Sequence, residues 1–175
     1  MGGGIAPVYQ TLFGASAPTT YPADLQEIVL GVQVQLAVKG LIVGVRYYRD
    51  AGDDGEHWAH IVDPTTNKVQ RISVAKLAPP GGSGVASWQH VYLHPYYPVV
   101  AGQSVIVDCY FEKGRWWYTP GMYAGADFVS GDITAPQHVA GVFFNGVFAY
   151  FKQIKTTGDG GGNGYGVDLL FLPRP

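Results

Sequence analysis

Ten residues, GRWWYTPGMY (residues 114–123), hold Trp116, Trp117, Tyr118 and Tyr123. Flat rings of this kind do one sort of chemistry on a protein surface. Their π-faces stack on the apolar faces of sugars and attract cations, and the indole N–H and phenol O–H add a polar handle. Tyr48, Trp58 and the guanidinium of Arg115 extend the set. Trp117, Arg115, Tyr123, Tyr48 and Trp58 are therefore the candidate contacts for a glycan or a protein partner. For any single ring the plainer expectation is a place in the core, where large apolar side chains collect. Trp116 and Trp117 are adjacent, however, and a strand sends neighbouring side chains to opposite faces. Trp116 shares parity with Tyr118 and is expected inside. Trp117 shares parity with Arg115 and Thr119 and is expected outside.

A second stretch, RDAGDDGEH, gathers Asp50, Asp53, Asp54 and Glu56 within a few residues. Clustered carboxylate oxygens suit calcium. The spacing does not match the helix-flanked calcium loop, and no bidentate glutamate follows, so a solvated acidic turn is the plainer expectation. No metal and no cofactor is expected. His57 and His60 are three apart and face opposite sides of a strand, a poor geometry for two ligands of one ion. His90 and His94 share parity, but the spacing is wide and Pro95 follows. With His138 they read as separate surface or turn histidines. Sugar hydrolysis needs two carboxylates at a set separation. Asp108, Asp127, Asp132 and Asp168 are scattered, with no motif tying a pair, so no catalytic residue is expected. GASAP lacks the Gly-x-Ser-x-Gly of a nucleophile elbow, and GDGGGNG lacks the Lys-Ser or Lys-Thr of a phosphate loop. Asp168 sits among apolar neighbours in YGVDLLF. A carboxylate buried there needs a partner, either a loop or the cation of Arg46 or Arg115.

The elements that carry these side chains read as strands. Ile28, Leu30, Val32, Val34 and Leu36 alternate with Val29, Gly31, Gln33 and Gln35, which predicts a half-buried strand with Gln33 and Gln35 outward. Further strands are expected at VYQTLFG, LIVGVRYYR, EHWAHIVDP, KVQRISVAKL, VASWQHVYLHP, SVIVDCYFE, RWWYT, GVFAYF and YGVDLLF. In LIVGVRYYR, Leu41, Val43, Val45 and Tyr47 share one face. Val105, Val107, Cys109 and Phe111 share another in SVIVDCYFE. The Lys113–Gly114 pair predicts a tight hairpin between SVIVDCYFE and RWWYT. Residues 120–140 read as a loop-rich excursion, and TTGDGGGNG as a flexible hairpin tip. The prediction is one all-β, jelly-roll-like sandwich of about eight to ten antiparallel strands over residues 9–175, behind a flexible lead at residues 1–8.

Composition agrees and excludes several functions. Charged residues are 14% of the chain, about half the usual share, and the net charge is −2, so no basic footprint for nucleic acid exists. No apolar run is long enough to span a membrane as a helix. Cys109 is the single cysteine, which excludes an intrachain disulfide and a thiolate zinc site; it reads as a small buried apolar residue. MGGGIAPVYQ has no basic segment ahead of an apolar run, so no signal peptide is expected.

The segments LFG, GVRYYRDAGDDGEHWAHIVD, GRWWYTPGMYAG and YGVDLLF, in that order, resemble a β-sandwich domain of uncharacterised function found in bacterial surface and secreted proteins. The likeness runs from Leu12 to Phe171. It implies an adhesin or accessory module. A free-standing copy without a signal resembles a bacteriophage minor tail or decoration protein, made in the host cytoplasm and carried in the virion. On that basis the chain is expected to be non-enzymatic. It would pack on other tail proteins, form a homo-oligomer such as a trimer, and touch host-surface carbohydrate, without nucleic acid or membrane partners. A carbohydrate-binding module of cellular origin is the alternative, and a glycan hydrolase the third.

Overall fold

The structure is a computed structural model that describes residues 8–22, 24–75, 82–143, 145–150 and 161–174. The expected lead, apart from Val8, lies outside these residues, as does most of the glycine-rich stretch. Among the described residues there is no helix. The strands are β1 (Ile28–Leu36), β2 (Gly40–Arg49), β3 (His57–Val62), β4 (Val69–Val74), β5 (Ser87–Val99) and β6 (Ser104–Phe111), followed by β7 (Tyr118–Thr119), β8 (Phe128–Ser130), β9 (Ile133–Ala135), β10 (Val147–Tyr150), β11 (Gly164–Tyr165) and β12 (Val167–Pro173). They form an all-β sandwich. One sheet runs β4-β3-β6-β1-β9-β8, with β10 also on β1; the other runs β12-β2-β5. A short β11-β7 pair lies beside them.

The core fills because the predicted alternations hold in the central strands. Leu30, Val32, Val34 and Leu36 of β1 and Val105, Val107, Cys109 and Phe111 of β6 are buried against Tyr47, Val91, Leu169 and Phe171 of the facing sheet. Gln35 is exposed and Gln33 half-buried, as expected. β1 carries β6 on one edge and shares its other edge between β10, at Ile28 to Gly31, and β9, at Gln35 and Leu36. The gap between β10 and β9 falls at Gln33. There the side chain of Asn145 stands in for a strand. Its Oδ1 accepts from Gln33 N at 3.0 Å and its Nδ2 donates to Gln33 O at 3.2 Å, so the buried backbone pair is satisfied.

Several local expectations are corrected. In β2 the register shifts around Val43: against β12 Val43 is one extra residue, and against β5 it stands opposite the four residues 93–96, so Ile42 joins Val45 and Tyr47 in the core while Leu41 stays half-buried. A bulge adds one residue and inverts the parity beyond it. β5 continues through Pro95 and Pro98, because it is an outer strand where a missing N–H costs no ladder bond. VYQTLFG gives only an isolated bridge between Gln10 and Phe171. The Lys113–Gly114 hairpin is absent, since β7 pairs with β11 and not with β6. Gly114 takes a φ of +59°, and a Cβ there would strike the Leu25–Gln26 backbone, so the chain turns away from β6. The excursion at residues 120–140 contains the β8–β9 hairpin, which extends the large sheet.

Asp168 of β12 is the junction that holds residues 10–20 to the sandwich. It is fully buried. Its oxygens accept from Leu12 N at 2.8 Å and Phe13 N at 2.9 Å, and its Oδ2 lies 2.6 Å from Arg46 Nη2. Arg46 also donates to Gly14 O at 2.7 Å. The expected partner and the expected loop contact are both present. A short apolar segment that cannot pair as a strand is thereby fixed by one carboxylate.

Candidate functional site

The stretch around Trp117 is coil where a strand was expected, yet its aromatics divide as parity suggested. Trp116 is buried, with Tyr118 and Tyr165 rings each 5.5 Å away. Trp117 turns outward and is half-buried. Its ring meets Tyr21 at 5.3 Å and Tyr48 at 6.0 Å, and its Nε1 donates to Asp50 Oδ2 at 3.3 Å. Tyr48 abuts Trp88 at 5.4 Å. Trp88 in turn carries the Arg46 guanidinium on its face at 4.2 Å, packs on Phe13, and donates its Nε1 to Ser16 O at 3.0 Å. Rings thus run from Tyr21 through Trp117, Tyr48 and Trp88 to Phe13. They clamp residues 13–21 onto the outer face of the three-stranded sheet. Their faces are largely spent on one another, which makes the group a clasp with little open platform. Arg115 adds a contact to Asp50 at 3.4 Å, but its side chain is 38% exposed, so the pair contributes little.

The other two aromatic candidates lie elsewhere. Tyr123 is fully buried beside Phe128, so its role as a contact is corrected to core filling. Its hydroxyl has no partner among the described residues, and burial pushes the phenol pKa well up. Trp58 is half-buried on the outer face of the large sheet, 5.6 Å from Tyr110. The five predicted contacts therefore do not form one site; only Trp117, Tyr48 and Arg115 come together.

The acidic loop is also more structured than a solvated turn. Asp54 is exposed, but Asp53 is buried; its Oδ1 accepts from Gly55 N at 3.0 Å and its Oδ2 lies 2.7 Å from His57 Nε2, off the line of a straight hydrogen bond. The His57 ring stacks on Tyr47 at 4.3 Å, and its Nδ1 is 3.1 Å from Tyr110 O. Asp50 is turned toward Gly52 N, Arg115 and Trp117, and Glu56 N is bonded to Glu112. Among the described residues no three His, Cys, Asp or Glu side chains converge as metal ligands would.

The histidines need the same correction. His57 and His60 do face opposite sides, as strand geometry requires. Both are buried, and each is paired with a carboxylate; His60 Nδ1 is 2.5 Å from Asp108 Oδ1. Burial raises the Asp108 carboxyl above its ordinary range, against the opposing pull of His60. His138 is buried too, with its Nδ1 3.3 Å from Asn145 N. Of the other scattered acids, Asp132 accepts from Gln10 Nε2 at 2.7 Å and Asp127 from Gln137 N at 2.7 Å.

The surface that sequence reasoning missed is β5. Val91, Leu93 and Val99 point into the core, while His90, Tyr92, His94 and Tyr96 are exposed. Tyr92 and Tyr96 are 44% and 43% exposed, high values for rings of this size. The rings sit in two pairs: His90 with Tyr92, centroids 6.2 Å apart and nearly perpendicular, and His94 with Tyr96, 5.9 Å apart and inclined at 32°. The parity of His90, Tyr92 and His94 was visible in the sequence. Pro95 marks the end of the strand that the sequence predicts, which leaves Tyr96 outside that pattern.

Fold and surface together define a β-sandwich domain whose buried acids are paired internally and whose open aromatic rings line an outer strand. The chain belongs to the family described as a domain of unknown function, DUF4082, whose model matches residues 15–164. Membership of an uncharacterised domain family was expected from the resemblance. No curated protein matches the chain.

Proposed function

We propose that the chain is a non-enzymatic recognition module, working in a virion as a bacteriophage minor tail protein that packs on other tail proteins and touches host-surface glycan. The observation that carries the recognition reading is the row of open rings on β5. Tyr92 is held in register against Gly44 of β2 and Tyr96 directly precedes Tyr97, where the pairing with β2 resumes, and the exposed rings offer flat faces to a sugar. The internal pairing of Asp108, Asp127, Asp132 and Asp168 supports the non-catalytic part, because each carboxylate already serves a structural partner. The virion setting rests on the likeness in sequence alone. The same β5 face would serve a cellular carbohydrate-binding module.

The test is a panel of immobilised polysaccharides probed with the parent chain and with Tyr92→Ala/Tyr96→Ala. Two rings at about 0.5–1.5 kcal/mol each predict binding weaker by roughly 5- to 150-fold, with the melting temperature little changed because both rings are exposed. Binding that ignores the double substitution, or no binding to any glycan, counts against the reading. Mass spectrometry of purified particles decides the setting: the chain present in fixed copy number supports a virion, and its absence contradicts it.

A further inference from the structure

Charge along the chain is uneven. No Asp or Glu occurs anywhere in residues 64–107, although the whole chain has 13 of them and a net charge of −2. That acid-free run contains β4 and β5, with Lys68, Arg71, His90 and His94 among its residues. The two strands meet at the sandwich edge. Ser73 Oγ donates to Tyr92 O at 2.9 Å, and the Arg71 guanidinium lies 5.7 Å from the Tyr97 ring. Exposed rings and imidazoles thus stand on a stretch from which negative charge is absent, in a protein that is otherwise acidic.

This rests on the recognition reading above and names its ligand. We propose that the β5 face binds an anionic polysaccharide, with sugar rings on Tyr92 and Tyr96 and the acid groups against His90 and His94. A neutral glycan would gain a hydroxyl hydrogen bond from each imidazole but no charge term. A polyanion gains a hydrogen bond from each, and a charge-assisted one once the imidazole is protonated. The groups around His90 are the Tyr92 ring on its own strand and Arg46 on β2, itself paired to Asp168 of β12; His94 faces Tyr96. His90 is held below the ordinary imidazole range, first by partial burial and then by the Arg46 charge. An anion favours the protonated ring, so binding takes up protons. Affinity gained through His90 therefore rises as pH falls below about 6.5. Carboxylates and phosphodiesters stay ionised over that span.

The probes are polygalacturonate, its fully methyl-esterified form, a phosphodiester-linked mannan and oligo(dT), each titrated calorimetrically at about pH 7.5 and about pH 5.5. Affinity for polygalacturonate or the phosphomannan is expected to rise about tenfold on acidification and to fall with added salt. His90→Gln/His94→Gln is expected to flatten the pH profile; both side chains are exposed, so the fold is retained. Binding to either polyanion with this profile supports the proposal, and the better probe identifies the anion. Equal binding of the acid and the ester at both pH values overturns it while leaving glycan recognition intact. Binding to neither polyanion overturns it as well, and failure of the whole glycan panel removes the recognition reading too. Tighter binding of oligo(dT) than of any polysaccharide overturns it in favour of nucleic acid.

Discussion

Asp168→Ala is expected to destabilise the protein by about 3–5 kcal/mol, because it leaves the Arg46 guanidinium buried without its carboxylate. Arg46 and Asp168 are 7% and 0% exposed at their side chains and 2.6 Å apart, so water cannot replace the lost partner. The same substitution frees the backbone N–H groups of Leu12 and Phe13, two further buried donors. For a chain of this size each kcal/mol lowers the melting temperature by about 2–4 °C, so a fall of roughly 10 °C is expected. Urea unfolding measures the free energy. Limited proteolysis supplies the local readout: residues 10–20 should become the first site of cleavage, since the carboxylate that fixes them is gone. An Asp168→Ala variant with the parent's midpoint would show that this junction does not hold the segment.

Trp116→Ala should cost about 3–5 kcal/mol, the range for removing a buried aromatic whose space does not refill. Its ring is 9% exposed and wedged between Tyr118 and Tyr165, at the end of the core where the β7–β11 pair meets the sandwich. Trp117→Ala should cost less, about 1–2 kcal/mol, for ring contacts to Tyr21 and Tyr48 and one long hydrogen bond to Asp50. Thermal melting of the two variants gives the order directly, and size-exclusion chromatography checks that both remain in the parent's state of association. If Trp117→Ala proves the more destabilising, the clasp over residues 13–21 contributes more than the Trp116 end of the core, and the division of roles is reversed.

What the sequence disclosed followed from how local each signal was. Faces of β1 and β6 were legible because a period of two survives along an unbroken strand. Asp168 was legible because a lone carboxylate in YGVDLLF has to find a partner. The face of β2 departs from the expected alternation before Val43, since one bulge residue against β12 inverts parity and no residue type announces it. The Lys113–Gly114 turn was read as a hairpin, but the positive φ of Gly114 serves a close approach to residues 25 and 26 instead. His60 and Asp108 are 48 residues apart and become partners only through the register of β3 with β6, so no local signal links the histidine to that carboxylate. Of the candidate site, Trp117, Tyr48 and Arg115 lie near one another. Their use as a clasp depends on Ser16, Tyr21 and Trp88 arriving from distant segments, which composition cannot show. The β5 rings were in plain view, and Pro95 hid them.

The central claim is that recognition belongs to the β5 face and that the Trp117 rings serve the fold. Hydroxyl-radical footprinting of the protein with and without polygalacturonate tests this residue by residue. Protection of Tyr92 and Tyr96 is expected, with Trp58 and Trp117 reacting as in the free protein. Protection of Trp117 and Tyr48 with Tyr92 and Tyr96 unchanged would contradict the account.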